Sequence, residues 1–194
     1  MYSVMLRLSR LMAYLGGVML VALILLTCVS VLGRSLNGFL HGDFMEGVAP
    51  GFAQWALALG VGPVNGDFEL VEAGVAFAIF AFLPLCQLTM GHASVDVFTS
   101  RMSVRTNRVL QMIASVLFAG VMVLIAVQLF AGMQSKLRSG QTTFLIEFPV
   151  WWAYAASMCG AALAALVAVY VAAMRVLEVV RDEDLLPVEQ GSEH

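Results

Sequence analysis

The sequence predicts an all-α integral membrane protein. Its fold class is four transmembrane helices with both termini cytoplasmic and short interfacial helices in the first outer and the inner connection. Three observations carry this. Of the 194 residues, 61% are hydrophobic and only 12% charged, a balance rare in soluble domains of this length. Four windows, at about 11–32, 71–90, 109–133 and 150–174, each supply the mostly apolar length that crossing a bilayer requires. Lys and Arg are unevenly shared between the connections, and that bias sets orientation.

The first window follows Arg7 and Arg10 and includes "LLTC", which loosely resembles a lipoprotein cleavage box. Its apolar run exceeds the ~7–15 residues of a signal-peptide core, and no A-x-A-like site follows it. A retained helix is expected. The first outer connection then holds "VAPGFAQWALALGVGP" (48–63), apolar but too short to span. Pro50 suits the opening of a helix there, and Gly60, Gly62 and Pro63 its close. With Trp55 at interfacial depth, a surface helix fits better than a re-entrant pore loop.

The second window opens on "FELVEA", whose Glu69 and Glu72 are three apart and share a helix face. Carboxylates suit a first helical turn, so a plain capped start is one reading. The sharper reading is a structural clasp of Arg34, Glu69 and Glu72, with Arg34 paired to Glu72 at one membrane depth. Pro84, inside the second window, removes a backbone donor and predicts a kink.

The inner connection begins "GHASVDVF". His92 and Asp96, four apart, would share a helix face, but no further metal ligand accompanies them, and His41 lies across the membrane. Val95, Phe98 and Met102 form an apolar stripe, while Arg101, Arg105 and Arg108 form a basic one. An amphipathic segment with its arginines facing lipid headgroups follows from that pattern.

In the fourth window Ala156, Gly160, Ala164, Ala168 and Ala172 recur every four residues. Such a small-residue track lets helix backbones approach closely in lipid, against this chain or another. Counting seven Lys or Arg (7, 10, 101, 105, 108, 175 and 181) against three (34, 136 and 138) puts both termini inside. The whole chain, 1–194, reads as one membrane domain with an acidic tail over 175–194.

Several functions are disfavoured. No basic tract or aromatic platform suits nucleic acid. Cys28, Cys86 and Cys159 fall in separate apolar stretches and read as small hydrophobes, not a redox or metal set. No cofactor is expected, and no Asp, Glu, Lys, Arg or His lies deep in a span, where ion-translocating proteins usually keep one. Catalysis is therefore not expected.

Three placements together resemble a known family. "GRSLNG" (33–38) after the first span is similar to an Arg-aromatic-x-x-Asn ending, with Ser35 in the aromatic's place. "FELVEA" is similar to an acidic opening of the second span, and Gly91, His92, Val95 and Asp96 to the Gly-His-x-x-Val-Asp signature that closes it. "GQTTFLIEFPVWW" carries Gly140, Thr142, Thr143, Pro149 and Trp151, similar to a Gly-x-Thr-(Ser/Thr)…Pro-x-Trp segment. The family is the small membrane subunit (DctQ-like) of the tripartite ATP-independent periplasmic (TRAP) transporters. The 48–63 segment makes the outer connection longer than in many members.

That resemblance implies a bacterial inner-membrane protein paired with a large multi-span permease, which carries the Na⁺ and substrate sites. It also implies a periplasmic substrate-binding protein that delivers an organic acid anion. The small subunit would be a scaffold contacting membrane lipids. The competing expectation is a self-contained four-helix transporter or channel that forms homo-oligomers. A membrane enzyme or redox carrier, the third possibility, would need a bound cofactor.

Overall fold

The computed structural model describes residues 2–89 and 104–181. The inner signature residues Gly91, His92, Val95 and Asp96, together with Arg101 and the tail from residue 182, lie outside that range. Among the described residues the regular structure is helical: α1 Tyr2–Leu40, α2 Asp43–Val48, α3 Pro50–Ala58, α4 Asp67–Leu88, α5 Val104–Ser139 and α6 Val150–Arg181. Four of these, α1, α4, α5 and α6, are long and apolar enough to cross a membrane. The expected four-span, all-α architecture is what forms. Both α1 and α6 outrun their apolar windows, because polar residues at the ends of a span can stay helical.

The short helices obey local chemistry. Pro50 opens α3, where its missing N–H costs nothing. Gly60 follows the helix with φ +85°, a conformation that side chains resist. The six-residue α2, from Asp43 to Val48, was not expected and comes just before α3. Leu40, Ala53 and Ala56 are buried together beneath Met45, Leu57 and Val61, so α2 and α3 fold back on the end of α1. Helix α4 runs on past Pro84, which is fully buried.

The packing order across the bundle is α1, α4, α6, α5, with α4 and α6 in the middle. In the most apolar stretch of α6, 44% of residues are buried, against 17% in α1. Helix α6 is therefore the hub, and α1 leaves most of its surface uncovered by the rest of the chain.

Along α1 the buried residues Ser9, Gly16, Leu23 and Ser30 recur every seven positions. A repeat of seven keeps one seam facing an antiparallel neighbour. Gly16 lies against Ala81, Leu23 against Gly74, and Ser30 against Asp67, stepping seven residues along both helices in opposite senses. A Cβ on Gly74 would come 2.9 Å from the Leu23 methyls. The close contacts of Gly16 with Ala81 and of Gly74 with Leu23, together with the Ser30–Asp67 hydrogen bond, fix the register of α1 on α4.

The track expected on α6 is used inside the chain. Ala164, Ala168 and Ala172 are buried with Ala119, Met122 and Ala126 of α5, and Phe80 and Leu83 of α4 pack on them. Gly160 is buried against the backbone of Phe80, while Ala156 is exposed. Dispersion between close backbones replaces the hydrophobic drive that lipid cannot supply.

At the end of the bundle near the termini, Arg175 and Glu178 are 4% and 1% exposed and pair at 2.6 Å. Residues 175–181, expected as the start of a polar tail, are instead the last turns of α6. Pairing is what lets both charges be buried there, since either one left without its partner would be strongly destabilising.

Candidate functional site

The opposite end carries the connections 41–66 and 140–149, and its polar residues are tied to one another. Glu69, in the first turn of α4, reaches across to the loop between α5 and α6. One carboxylate oxygen accepts hydrogen bonds from Phe144 N (2.9 Å) and Leu145 N (2.7 Å), and the other from Ile146 N (3.2 Å). Three backbone donors converging on one carboxylate form an anion-binding nest, filled by a residue of the chain itself.

The loop is shaped to present those donors. Gly140 opens it at φ +62°, and Glu147 turns it back at φ +52°. Thr142 forms a bridge with Pro149. Thr143 N donates to Phe148 O at 2.9 Å, and its hydroxyl accepts from Phe148 N at 3.0 Å. Behind the loop, Trp152 meets Phe148 and Trp151 edge-on at 5.7 and 5.9 Å. The resembling motif residues Gly140, Thr142, Thr143, Pro149 and Trp151 thus build the loop that holds Glu69. Gly66 completes the seat, since a Cβ there would lie 2.5 Å from Ile146.

A second tie joins α1 to the start of α4. Ser30 Oγ donates to Asp67 Oδ2 at 2.5 Å and accepts from Val64 N at 3.2 Å. Arg34 lies 3.5 Å from the same Asp67 oxygen, and its guanidinium sits 5.7 Å above the Phe68 ring. Asn37 donates to Val61 O at 3.0 Å. Gly33 lets the chain at Gly62 press on α1, because a Cβ there would fall 2.0 Å from the Gly62 oxygen.

The expected pairing of Arg34 with Glu72 is therefore corrected: Arg34 pairs with Asp67. Helix α4 begins at Asp67, earlier than the apolar window. At about 100° per residue, Glu72 is turned some 140° from Asp67, away from α1. It lines a cavity between α4, α5 and α6 instead. Asp67 and Ser30 were not singled out in the sequence, although Ser30, Arg34 and Asn37 at i, i+4 and i+7 share one face of α1.

Because the Arg34 guanidinium is more than half exposed, Arg34→Ala should be mild, moving the thermal midpoint by less than about 4 °C. Asp67→Ala, which strips Ser30 of its acceptor and Arg34 of its partner, should cost distinctly more. Paired melts of the two variants check this order.

Among the described residues no group of three or more His, Cys, Asp or Glu is placed to hold a metal. Cys28, Cys86 and Cys159 carry no disulfide. Arg105 and Arg108 lie in the first turns of α5.

The family model of the tripartite ATP-independent periplasmic transporters, DctQ component, matches residues 23–178. The chain belongs to the DctQ family. The match takes in both tied connections, α4 and α5 whole, nearly all of α6 and the second half of α1. No curated protein and no solved structure matches the chain. As a DctQ protein it is the small subunit of a TRAP transporter, not an enzyme, and a multi-pass protein of the bacterial inner membrane. The DctQ family works alongside a large permease and a periplasmic binding protein.

Proposed function

We propose that this DctQ chain is a non-catalytic scaffold that holds the large permease subunit in the bilayer. The large subunit would perform Na⁺-coupled uptake of an organic acid anion delivered by the periplasmic binding protein. One observation supports a frame over a pathway. Among the described residues no Asp, Glu, Lys, Arg or His sits near the middle of a span, whereas at the rim Asp67 is spent on tying α4 to α1 and Glu69 on holding a loop. Ion-conducting chains place such groups at mid-membrane.

In this reading the tied connections face the periplasm, as the Lys and Arg bias supports. Arg101, Arg105 and Arg108 would then lie near inner headgroups. Gly91, His92, Val95 and Asp96 would shape the inner turn or its contact with the large subunit. The homo-oligomeric channel is less favoured, since most of its natural contact, the α6 small-residue track, is buried within the chain.

Reconstitution tests the proposal. Liposomes containing the chain, the large permease and the binding protein should accumulate solute when a Na⁺ gradient is applied. Liposomes containing the chain alone should not, and the chain should co-purify with the permease in mild detergent. Solute flux from the chain alone would overturn the scaffold reading.

A further inference from the structure

A cavity of about 670 Å³ opens between α4, α5 and α6 beneath the 140–149 loop. That volume falls within the usual range for a bound small molecule. Its lining changes with depth. Glu72, Lys136 and Thr142 stand at the mouth, while Ala76, Phe80 and Leu129 line the inner part. From Glu72 to Phe80, α4 descends about 12 Å, from the headgroup layer into hydrocarbon. A water-soluble metabolite gains nothing from such a floor, whereas an amphiphile matches the whole gradient.

The mouth carries both signs of charge. Both oxygens of Glu69 are taken by the loop, which leaves Glu72 as the acid facing the cavity. Glu72 is exposed and has no ion-pair partner among the described residues. Lys136 donates to Gln141 Oε1 at 2.6 Å, and an ammonium has two more donors to offer. A zwitterion carrying an ammonium and a phosphate close together complements this pair.

Deeper in the wall is Ser157, 2% exposed, whose hydroxyl has no hydrogen-bond partner. An unpaired polar group buried at membrane depth is costly unless something satisfies it. Ser157 lies seven residues into α6, about 10 Å below the start of that helix. At that depth a lipid presents the carbonyl oxygens of its ester linkages, below the phosphate.

We propose that this cavity binds one phospholipid with an ethanolamine headgroup. Its ammonium lies on Glu72, its phosphate on Lys136, an ester carbonyl on Ser157, and the start of an acyl chain runs along Ala76, Phe80 and Leu129. Glu72 is the selective element, because a primary ammonium donates hydrogen bonds that a choline headgroup cannot.

Native mass spectrometry of the full chain, titrated with phosphatidylethanolamine, phosphatidylcholine and phosphatidylglycerol, tests this. The ethanolamine lipid should be the one retained. Glu72→Gln should weaken it roughly tenfold and abolish its advantage over the choline lipid. Lys136→Gln should weaken both. Equal retention of all three headgroups, or retention unchanged in both variants, would overturn the proposal. So would loss of the lipid once the large permease is bound, an outcome that would assign the cavity to a side chain of that subunit.

Discussion

Replacing Glu69 with alanine should release the 140–149 loop while leaving the helices folded. The carboxylate is the common acceptor for Phe144, Leu145 and Ile146 N–H, and no nearby residue can take over all three. Thr142 and Thr143 would still pair across the loop, so its base should survive and its tip should not. Amide exchange at residues 144–146 should rise by at least roughly tenfold, with helical amides unchanged. Co-purification with the large permease should fall if the loop belongs to the assembly surface. Glu69→Gln keeps the shape but not the charge, and should recover only part of the effect, since hydrogen bonds to a charged acceptor are about twice as strong. Unchanged exchange at the tip in Glu69→Ala would show that the loop stands without its anchor.

Gly160→Leu should be strongly destabilising, because it forces apart two membrane helices at the centre of the bundle. A Cβ at Gly160 would lie 2.8 and 2.9 Å from the carbonyl carbon and oxygen of Phe80 and 3.0 Å from Ala81 N. Those are backbone atoms of a packed helix, so no rotamer can move aside. Overpacking typically costs about 1–3 kcal/mol even where side chains can give, and here α4 and α6 must separate. The contact lies at the centre of the bundle, where α6 holds both α4 and α5. A thermal melt in detergent should fall by several degrees or more for Gly160→Ala, and Gly160→Leu should fail to yield folded protein. Ala156→Leu, four residues away but exposed, should be tolerated. If Gly160→Ala and Ala156→Leu melt alike, the close α4–α6 approach is not what holds the bundle together.

The spans and the α6 track were legible because lipid leaves few solutions. A run of apolar residues must be helical, and small residues in register let helices touch. The opening and closing of α3 were also legible, since Pro50 and Gly60 act locally. The rim was legible only in part. Glu69 and the motif of residues 140–149 were both noticed, but nothing local says that a carboxylate on α4 meets three amides 75 to 77 residues later. Arg34 was assigned the wrong acid because Glu72 stands where the apolar run begins, whereas the helix begins at Asp67. The seven-residue spacing of Ser9, Gly16, Leu23 and Ser30 was readable in principle. It hides inside a helix that is apolar on every side, where the contrast between faces is weak.

The position of α6 bears on how the chain is made. Of the four spans, the one made last is the one on which α4 and α5 close, and the acceptor on Glu69 waits for amides supplied just before it. Until α6 has been made, α1 and α4 can zip along their seam, but α5 has no finished surface to join. A chain that stops before residue 150 would leave small, groove-like helix faces open to lipid and an unfilled rim. Synthesis of α6 and closure of the four-helix bundle are therefore nearly the same event.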